Sequence, residues 1–250
     1  MRWNSTVAWL PVLLLGMGHR LEAQEEVRPI IDKAIQAHGG EEKLAKVKAV
    51  RAKSKGTIHL GGARSAYMNV EAWQLPDRIK VVMEMENQGQ RLRMIQVLNG
   101  DKGWLSLNGQ TQKIPQQMRP ELEELLHAAR VQTLTPLLQD NAYKPAPLGE
   151  GKVENRPTVG VKVSHKGRRD VHLFFDKERG RLLKTAFQVQ PAEGGKKASV
   201  ECYYSNHKDM GGLKWPTRKI VFMDGKKFTE GEVTEFKFVD RFDDTEFAKP

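Results

Sequence analysis

The sequence predicts a mainly β (α+β) protein in which helices accompany an antiparallel sheet, and three observations support this prediction. Most of the 250-residue chain consists of short segments that alternate apolar and polar residues, as strands with one buried face do. Turns rich in glycine, asparagine or aspartate follow these segments closely, so neighbouring strands should run antiparallel. Only two regions, before the first strand and near mid-chain, carry apolar residues at helical spacing.

The N-terminal 23 residues predict a secretory signal peptide. A positively charged start precedes an apolar run, residues 7–18, that is too short to cross a bilayer comfortably. Ala23 then offers a cleavage site. The alternative is a retained anchor helix, but Pro11 and the short run both count against it. We therefore expect an exported protein, periplasmic or otherwise outside the cytoplasm, with one mature domain over residues 24–250.

The chain is strongly basic and contains a single cysteine. Its net charge is +10, and removal of residues 1–23, which carry two arginines and one glutamate, leaves +9. This balance favours anionic partners such as a membrane surface, whereas export argues against nucleic acid. Cys202 alone cannot form an internal disulfide. Its strand-like surroundings predict a buried small side chain rather than a nucleophile.

The first helix is predicted over residues 25–37, and the stretch 38–42 that follows it has two interpretations. The glycine pair at 39–40 can end this helix, and the glutamates after it can begin a second one. The same stretch, with His38 at its start, could form an oxyanion hole or a metal site. We favour the structural joint, because a metal site needs further ligands to which the sequence does not point.

Strands follow from residue 50, as one run before the mid-chain helix and a second run after it. In RIKVVMEME, Ile79, Val81, Met83 and Met85 share one face. The first predicted run comprises residues 50–60, 65–74, 78–86, 90–98 and 103–107. The second predicted run comprises residues 157–164, 170–176, 181–190, 198–205, 217–223 and 226–240.

An amphipathic helix is predicted within residues 118–143. Pro120 suits its first turn, and Pro136 should end or kink it near Thr135. Leucines at helical spacing give this segment an apolar face that can cover a sheet. The candidates for this covering face are Leu122, Leu125, Leu126, Leu134, Leu137 and Leu138.

The order of these elements resembles the LolA/LolB-like superfamily of bacterial lipoprotein carriers and lipid-binding proteins, over nearly the whole mature chain. The resemblance rests on the helix before the glycine pair, the LTPLL segment at 134–138, VHLFFDKERGRLLK at 171–184 and YYSNHKDMGGLKWPTRKIVFMDGK at 203–226. It implies a curved, unclosed antiparallel β-barrel covered by helices. It also implies that the concave cavity holds acyl chains or other lipid under a helical lid, and it brings no catalytic motif.

Patterns of catalytic, metal-binding or cofactor-binding residues are missing from the sequence. It contains no GxSxG, HExxH, CxxC or phosphate-loop pattern, and its seven histidines are spread out. We therefore predict a protein that is not an enzyme and that needs no metal or cofactor. A hydrolase whose site is assembled from scattered residues is the less favoured alternative.

Apolar side chains on the strands suggest where a ligand would lie. Methionine adapts to irregular apolar surfaces, so methionines on adjacent strands could line a cavity or form an ordinary core. The ligand-lining candidates are Met83, Met85, Leu92, Met94, Trp73 and Trp104. We predict a binding or carrier protein for lipid or lipoprotein acyl chains. The alternative is a structural or sensory module of the cell envelope that has a filled core and binds a protein partner.

Overall fold

The computed structural model describes residues 18–87, 89–190 and 197–250, and its strands fall into two runs. The first run is β1 (Ala49–Leu60), β2 (Ala63–Gln74), β3 (Arg78–Asn87), β4 (Gln90–Asn99), β5 (Lys102–Leu107) and β6 (Gln110–Lys113). The second run is β7 (Tyr143–Val153), β8 (Arg156–His165), β9 (Val171–Asp176), β10 (Leu182–Val189), β11 (Ala198–Met210), β12 (Leu213–Met223) and β13 (Lys226–Val239). The helices are α1 (Gly18–His38), α2 (Glu41–Ala45), α3 (Arg119–Gln132) and α4 (Pro136–Gln139).

All thirteen strands of the described residues form one antiparallel sheet. Each run is a meander of neighbouring hairpins, and the pairing of β1 with β13 joins the two meanders. The sheet stays open, with β6 at one edge and β7 at the other. This arrangement confirms the predicted mainly β class with an antiparallel sheet that is not closed into a barrel.

The sequence did not predict the two edge strands. β6 is only four residues long, and β7 contains Pro145 and Pro147, which cannot donate to a neighbouring strand. β7 also has a register shift between Pro147 and Gly149. An edge strand tolerates these features because one of its sides needs no partner, and they discourage another chain from pairing there.

Helix α1 packs on the sheet, and the glycine pair that follows it acts as a joint. Val27, Ile31 and Ala34 are buried in the main core. Gly39 has φ +122°, and a Cβ on it would lie 2.6 Å from the carbonyl oxygen of Gly212, so glycine is needed there. The structural interpretation of this stretch is confirmed. No helix in the described ranges has the length and apolar character needed to cross a membrane.

His38 fastens this joint to the sheet. Its Nδ1 lies 2.7 Å from the carbonyl oxygen of Ala34, and its Nε2 lies 3.3 Å from the amide nitrogen of Leu182. A neutral ring that donates to Ala34 and accepts from Leu182 satisfies both contacts. Burial lowers the pKa of His38, which favours this neutral form. Within the described ranges, no three His, Cys, Asp or Glu side chains are grouped to hold a metal ion.

A smaller second core lies on the other side of the sheet, where the C-terminal segment crosses it. Phe242 and Phe247 pack edge to face at 5.6 Å, and Phe247 is fully buried at the end of a short 3₁₀ helix, Asp244–Phe247. Ala49, Ala72 and Val97 contribute to the same cluster. The C-terminal segment therefore belongs to the folded sheet.

We expect Phe247→Ala to lower the free energy of unfolding by about 3–5 kcal/mol, because it leaves a cavity in this second core. Urea denaturation measures the effect. The control is Leu148→Ala, whose side chain is 42% exposed on β7 and should change stability by less than about 0.5 kcal/mol. Equal effects of the two substitutions would show that the C-terminal segment adds nothing to the fold.

Candidate functional site

Strand alternation and register divide the sheet into two faces. Val50 pairs with Trp73 and Trp73 with Ile79, and all three belong to the main core beneath the helices. We call this side the inner face. Ala49 and Ala72 directly precede Val50 and Trp73 in their strands, so their side chains point to the opposite side of the sheet. They belong to the second core, and we call this side the outer face.

Four of the predicted ligand-lining residues lie together on the inner face. Met83 pairs with Met94, and Met85 pairs with Leu92, on the adjacent strands β3 and β4. All four side chains are half-buried. They form a continuous apolar patch that neighbouring side chains cover only in part, and we call these four residues the methionine strip.

The two tryptophans predicted with this strip lie on different faces. Trp73 is buried in the main core on the inner face. Trp104 pairs with Val97 and packs against the outer cluster that contains Phe247. We therefore leave Trp104 out of the proposed lining, since the sheet separates it from the methionine strip.

The helices cover the inner face unevenly. On β8 and β9, Val161, Val163 and Leu173 are fully buried. On β13, Phe236 and Phe238 remain half-buried, and Trp215 of β12 lies 5.3 Å from the Phe236 ring. The inner surface of β1–β4, β12 and β13 is therefore only partly covered, and we call it the inner hollow.

The mid-chain helix is shorter than predicted. It ends at Gln132, Leu134 adopts φ +64°, and α4 begins at Pro136. The proline therefore starts a new helix rather than kinking the first one. The break allows apolar side chains on both sides of it to pack onto the sheet. The buried leucines are Leu122, Leu126, Leu134 and Leu137.

Leu125 corrects the predicted apolar face. Its side chain is 40% exposed, and the polar residues Glu124 and His127 take buried places on α3 instead. Glu124 can be buried because it accepts the amide of Arg169 at 3.0 Å. The side chain of Leu138 lies outside the described part of the chain.

A carboxylate clamp holds α3 to the second meander. Both guanidinium nitrogens of Arg169 donate to Glu121, at 2.8 and 2.9 Å, and the amide of Gln190 donates to Glu121 at 2.8 Å. Burial alone would raise the pKa of Glu121, but these donors outweigh it and lower the pKa. Sequence inspection missed this pair because 48 positions separate the partners.

Arg119 holds the start of α3 to the first meander. Its guanidinium donates to the carbonyl oxygens of Gly100 and Asp101, each at 2.6 Å. It also donates to Glu123 at 2.8 Å, which fixes its orientation. Because the clamp grips the β8–β9 turn and Arg119 grips the β4–β5 turn, α3 bridges the two meanders across the inner face.

A group of aromatic rings lies behind α3. His127 stacks on Tyr143 with ring centroids 5.8 Å apart, and His165 lies 4.7 Å from Tyr143. Nε2 of His127 is buried and has no hydrogen-bond partner among the described atoms. Burial, and next the neighbouring His165, lower the pKa of His127 to about 4. The ring is therefore neutral at physiological pH.

A groove of about 1060 Å³ lies across the middle of the strands. Outer-face positions supply most of its lining, and inner-face positions border it too, namely Gly56, Tyr67, Met85, Leu92 and Gly231. Met68 is 60% exposed in this groove. Acidic and basic side chains are interspersed around it, for example Arg93 beside Glu84 at 2.9 Å and Arg218 beside Glu230. This mixed lining differs from the apolar surface of the inner hollow.

Comparison with known proteins identifies the fold. A LolA superfamily protein from Nitrosomonas europaea superimposes with a TM-score of 0.56 at 15% identity, over 89% of this chain and 97% of its own. The chain has a LolA-like fold. No protein-family model matches the sequence, and the search of curated proteins finds no match.

Two further solved structures share the LolA-like fold. A DUF1329 family protein from Desulfovibrio piger has a TM-score of 0.56 at 11% identity, over 89% of this chain and 97% of its own. A domain from Vibrio parahaemolyticus named for outer-membrane lipoprotein sorting has a TM-score of 0.52 at 12% identity, over 91% of this chain and 97% of its own. The resemblance seen in the sequence is thus confirmed for the fold.

We expect Glu121→Gln to lower the free energy of unfolding by about 1–3 kcal/mol, because it leaves Arg169 without its charged partner. Urea denaturation at neutral pH measures this. The matched control is Glu150→Gln, which removes an exposed surface pair with Lys177 and should cost less than about 1 kcal/mol. Should both variants match the parent protein, the clamp would be no more than a surface contact.

We also expect stability to fall as the pH drops from 7 to 5. The pKa of His127 is lower in the folded protein than in the unfolded chain, so as the pH falls the unfolded chain takes up the proton first. This protonation stabilises the unfolded state and lowers the free energy of unfolding. His127→Phe should reduce the fall in urea midpoint over this range. His59→Gln should leave the fall unchanged. An unaltered pH dependence in His127→Phe would contradict the neutral, buried ring.

Proposed function

We propose that the chain is an exported, non-catalytic protein that binds or carries acyl chains of lipid or lipoproteins. The observation that carries this proposal is the uneven cover of the inner face: apolar side chains are fully buried on β8 and β9 but stay partly exposed around the methionine strip. Folded proteins bury apolar surface where they can, so a concave apolar surface left open suits a ligand. The LolA-like fold is consistent with this role.

Burial of methylene groups would supply the affinity. Each methylene transferred from water to an apolar surface is worth about 0.8 kcal/mol, so a long chain can bind well without any directional contact. Flexible methionine side chains such as Met83 and Met85 can adapt to chains of different length and unsaturation. No metal or cofactor is required by this mechanism.

Helix α3 would serve as the lid of the inner hollow. It is held by Arg119 at one end and by the Glu121–Arg169 clamp along its side, and these contacts are polar and partly exposed. They can therefore break and re-form at moderate cost when a ligand enters. The net charge of +9 that remains without residues 1–23 would bring the exported protein to anionic membrane surfaces, from which such a ligand could come.

We expect a fluorescent long-chain probe to bind saturably, and Met85→Glu to weaken the binding at least tenfold, because the substitution puts a charge beside the apolar chain. The matched control is Met68→Glu, which changes the same residue type on the outer face. Fluorescence titration of the full chain measures both. If the parent protein shows no saturable binding, or if Met68→Glu weakens binding while Met85→Glu does not, the inner hollow is not the acyl-chain site.

The outer groove favours a second candidate function, the binding of an envelope protein partner. Its exposed Met68 and its interspersed charges resemble the apolar centre and polar surroundings of a protein interface. A partner would use this groove rather than the sheet edges, because β6 is short and β7 carries two prolines. The hydrolase alternative gains no supporting observation from the described residues.

A further inference from the structure

Lys219 places a positive charge inside the inner hollow. It lies on β12, where it pairs with Tyr204 on one side and with Gly231 on the other. Its neighbours at two-residue spacing, Thr217 and Val221, share its face, and Val221 packs against the main core. The sheet surrounds Lys219, yet its side chain remains exposed. The exposed surface of this lysine therefore faces the inner hollow.

Two glycines beside Lys219 leave room that the side chain of Tyr67 fills. Gly231 pairs with Gly56, and Gly56 pairs with Tyr67, so one row of residues crosses four strands from Lys219 to Tyr67. A Cβ on Gly231 would lie 2.3 Å from the hydroxyl oxygen of Tyr67. The tyrosine side chain thus extends over bare backbone toward Lys219. Opposite residues of neighbouring strands have Cβ atoms about 5 Å apart, so this hydroxyl lies near the lysine stem.

On β11, Tyr204 pairs with Lys219, and its hydroxyl is buried against β10 and α3. It lies 3.0 Å from Oγ1 of Thr185, and it accepts a hydrogen bond from Nε2 of Gln132 at 3.0 Å. Gln132 is the last residue of α3. The residue that pairs with Lys219 on β11 is therefore connected directly to the proposed lid.

Lys219 is charged, and the described residues place no carboxylate against its ammonium group. Among the described residues, no carboxylate lies within 4 Å of its ammonium group. Electrostatic interaction with Cys202, and then with Tyr204 and Glu71, raises the pKa of Lys219, against the opposing effect of the surrounding protein. Glu71 is the one charged residue at inner-face positions of β1 to β4, and it accepts a hydrogen bond from Asn69 at 2.6 Å. An exposed ammonium can donate charge-assisted hydrogen bonds to an anion that enters the inner hollow.

We propose that Lys219, with the hydroxyl of Tyr67, binds the carboxylate of a long-chain fatty acid in the inner hollow. This proposal rests on the proposed acyl-chain binding and names the chemical class of the ligand. Lys219 supplies one positive charge to the inner hollow, and Glu71 supplies one negative charge. A ligand head group with a single negative charge therefore matches the site better than a doubly charged one.

The row of paired residues gives the path of the acyl chain. From Lys219 it passes over the Tyr67 side chain, which covers Gly231 and Gly56, and reaches Met85 and Leu92 of the methionine strip. At about 4.8 Å per strand, the five steps from β12 to β4 span about 24 Å along the sheet. The carboxylate of the fatty acid would lie at Lys219, the one cation in this row. The acyl chain would lie at the apolar end of the row, on Met85 and Leu92.

The test compares a fluorescent long-chain fatty acid with its methyl ester, which keeps the chain and removes the charge. The full-length protein, stripped of bound lipid, should bind the acid at least tenfold more tightly than the ester, because a hydrogen bond to a charged group is lost with the ester. Lys219→Met should weaken binding of the acid to the level of the ester and leave ester binding unchanged. The matched control, Lys237→Met, removes an exposed lysine at an outer-face position of β13 and should bind both ligands as the parent does.

The possible failures are distinguishable. Equal binding of acid and ester by the parent protein, or an undiminished preference for the acid in Lys219→Met, would overturn the carboxylate site while acyl-chain binding stands. If neither ligand binds the parent protein, the proposed function itself fails. Tyr67→Phe provides a second variant, for which we expect a smaller loss of the preference for the acid; an unchanged preference would remove Tyr67 from the site.

Discussion

The pairing of β1 with β13 is the contact on which the rest of the structure depends. It joins the first and last strands of the sheet-forming chain, so two meanders become one continuous curved surface. A register shift near Ser54 brings Gly56 opposite Gly231 in this pairing. The same junction that unites the sheet therefore also opens space in its inner face, and Tyr67 extends into that space.

The helices then determine which part of the inner face is core and which part is free. Helix α1 contacts β7 and β12, and α3 contacts β3, β9 and β10, so the second meander receives most of the cover. Because α3 is attached to turns of both meanders, a movement of this helix would change access to the inner hollow. The link from Gln132 to Tyr204 gives the interior a direct contact with the helix that would move. The fold, the proposed lid and the proposed ligand site are thus connected.

Local patterns predicted much of this fold, and non-local contacts account for what was missed. Alternation in β3 correctly put Met83 and Met85 on one face, because the side-chain period of a strand is visible in a few residues. The face of Trp104 depends on its pairing with β4, and the partner of Glu121 lies 48 positions away, so neither can be read locally. Lys219 stands next to Arg218 in a strand, where a lysine usually faces solvent, and only the register shows that it points inward.

The most direct test of the acyl-chain account is native mass spectrometry of residues 24–250 purified from the periplasm of an expression host, with lipid analysis of the same sample. The account predicts co-purified acyl lipid in near-stoichiometric amount, or its uptake when lipid is added to the stripped protein. A clean ligand-free mass that also fails to shift with added lipid would contradict it, and would favour the outer groove as the functional surface of the molecule.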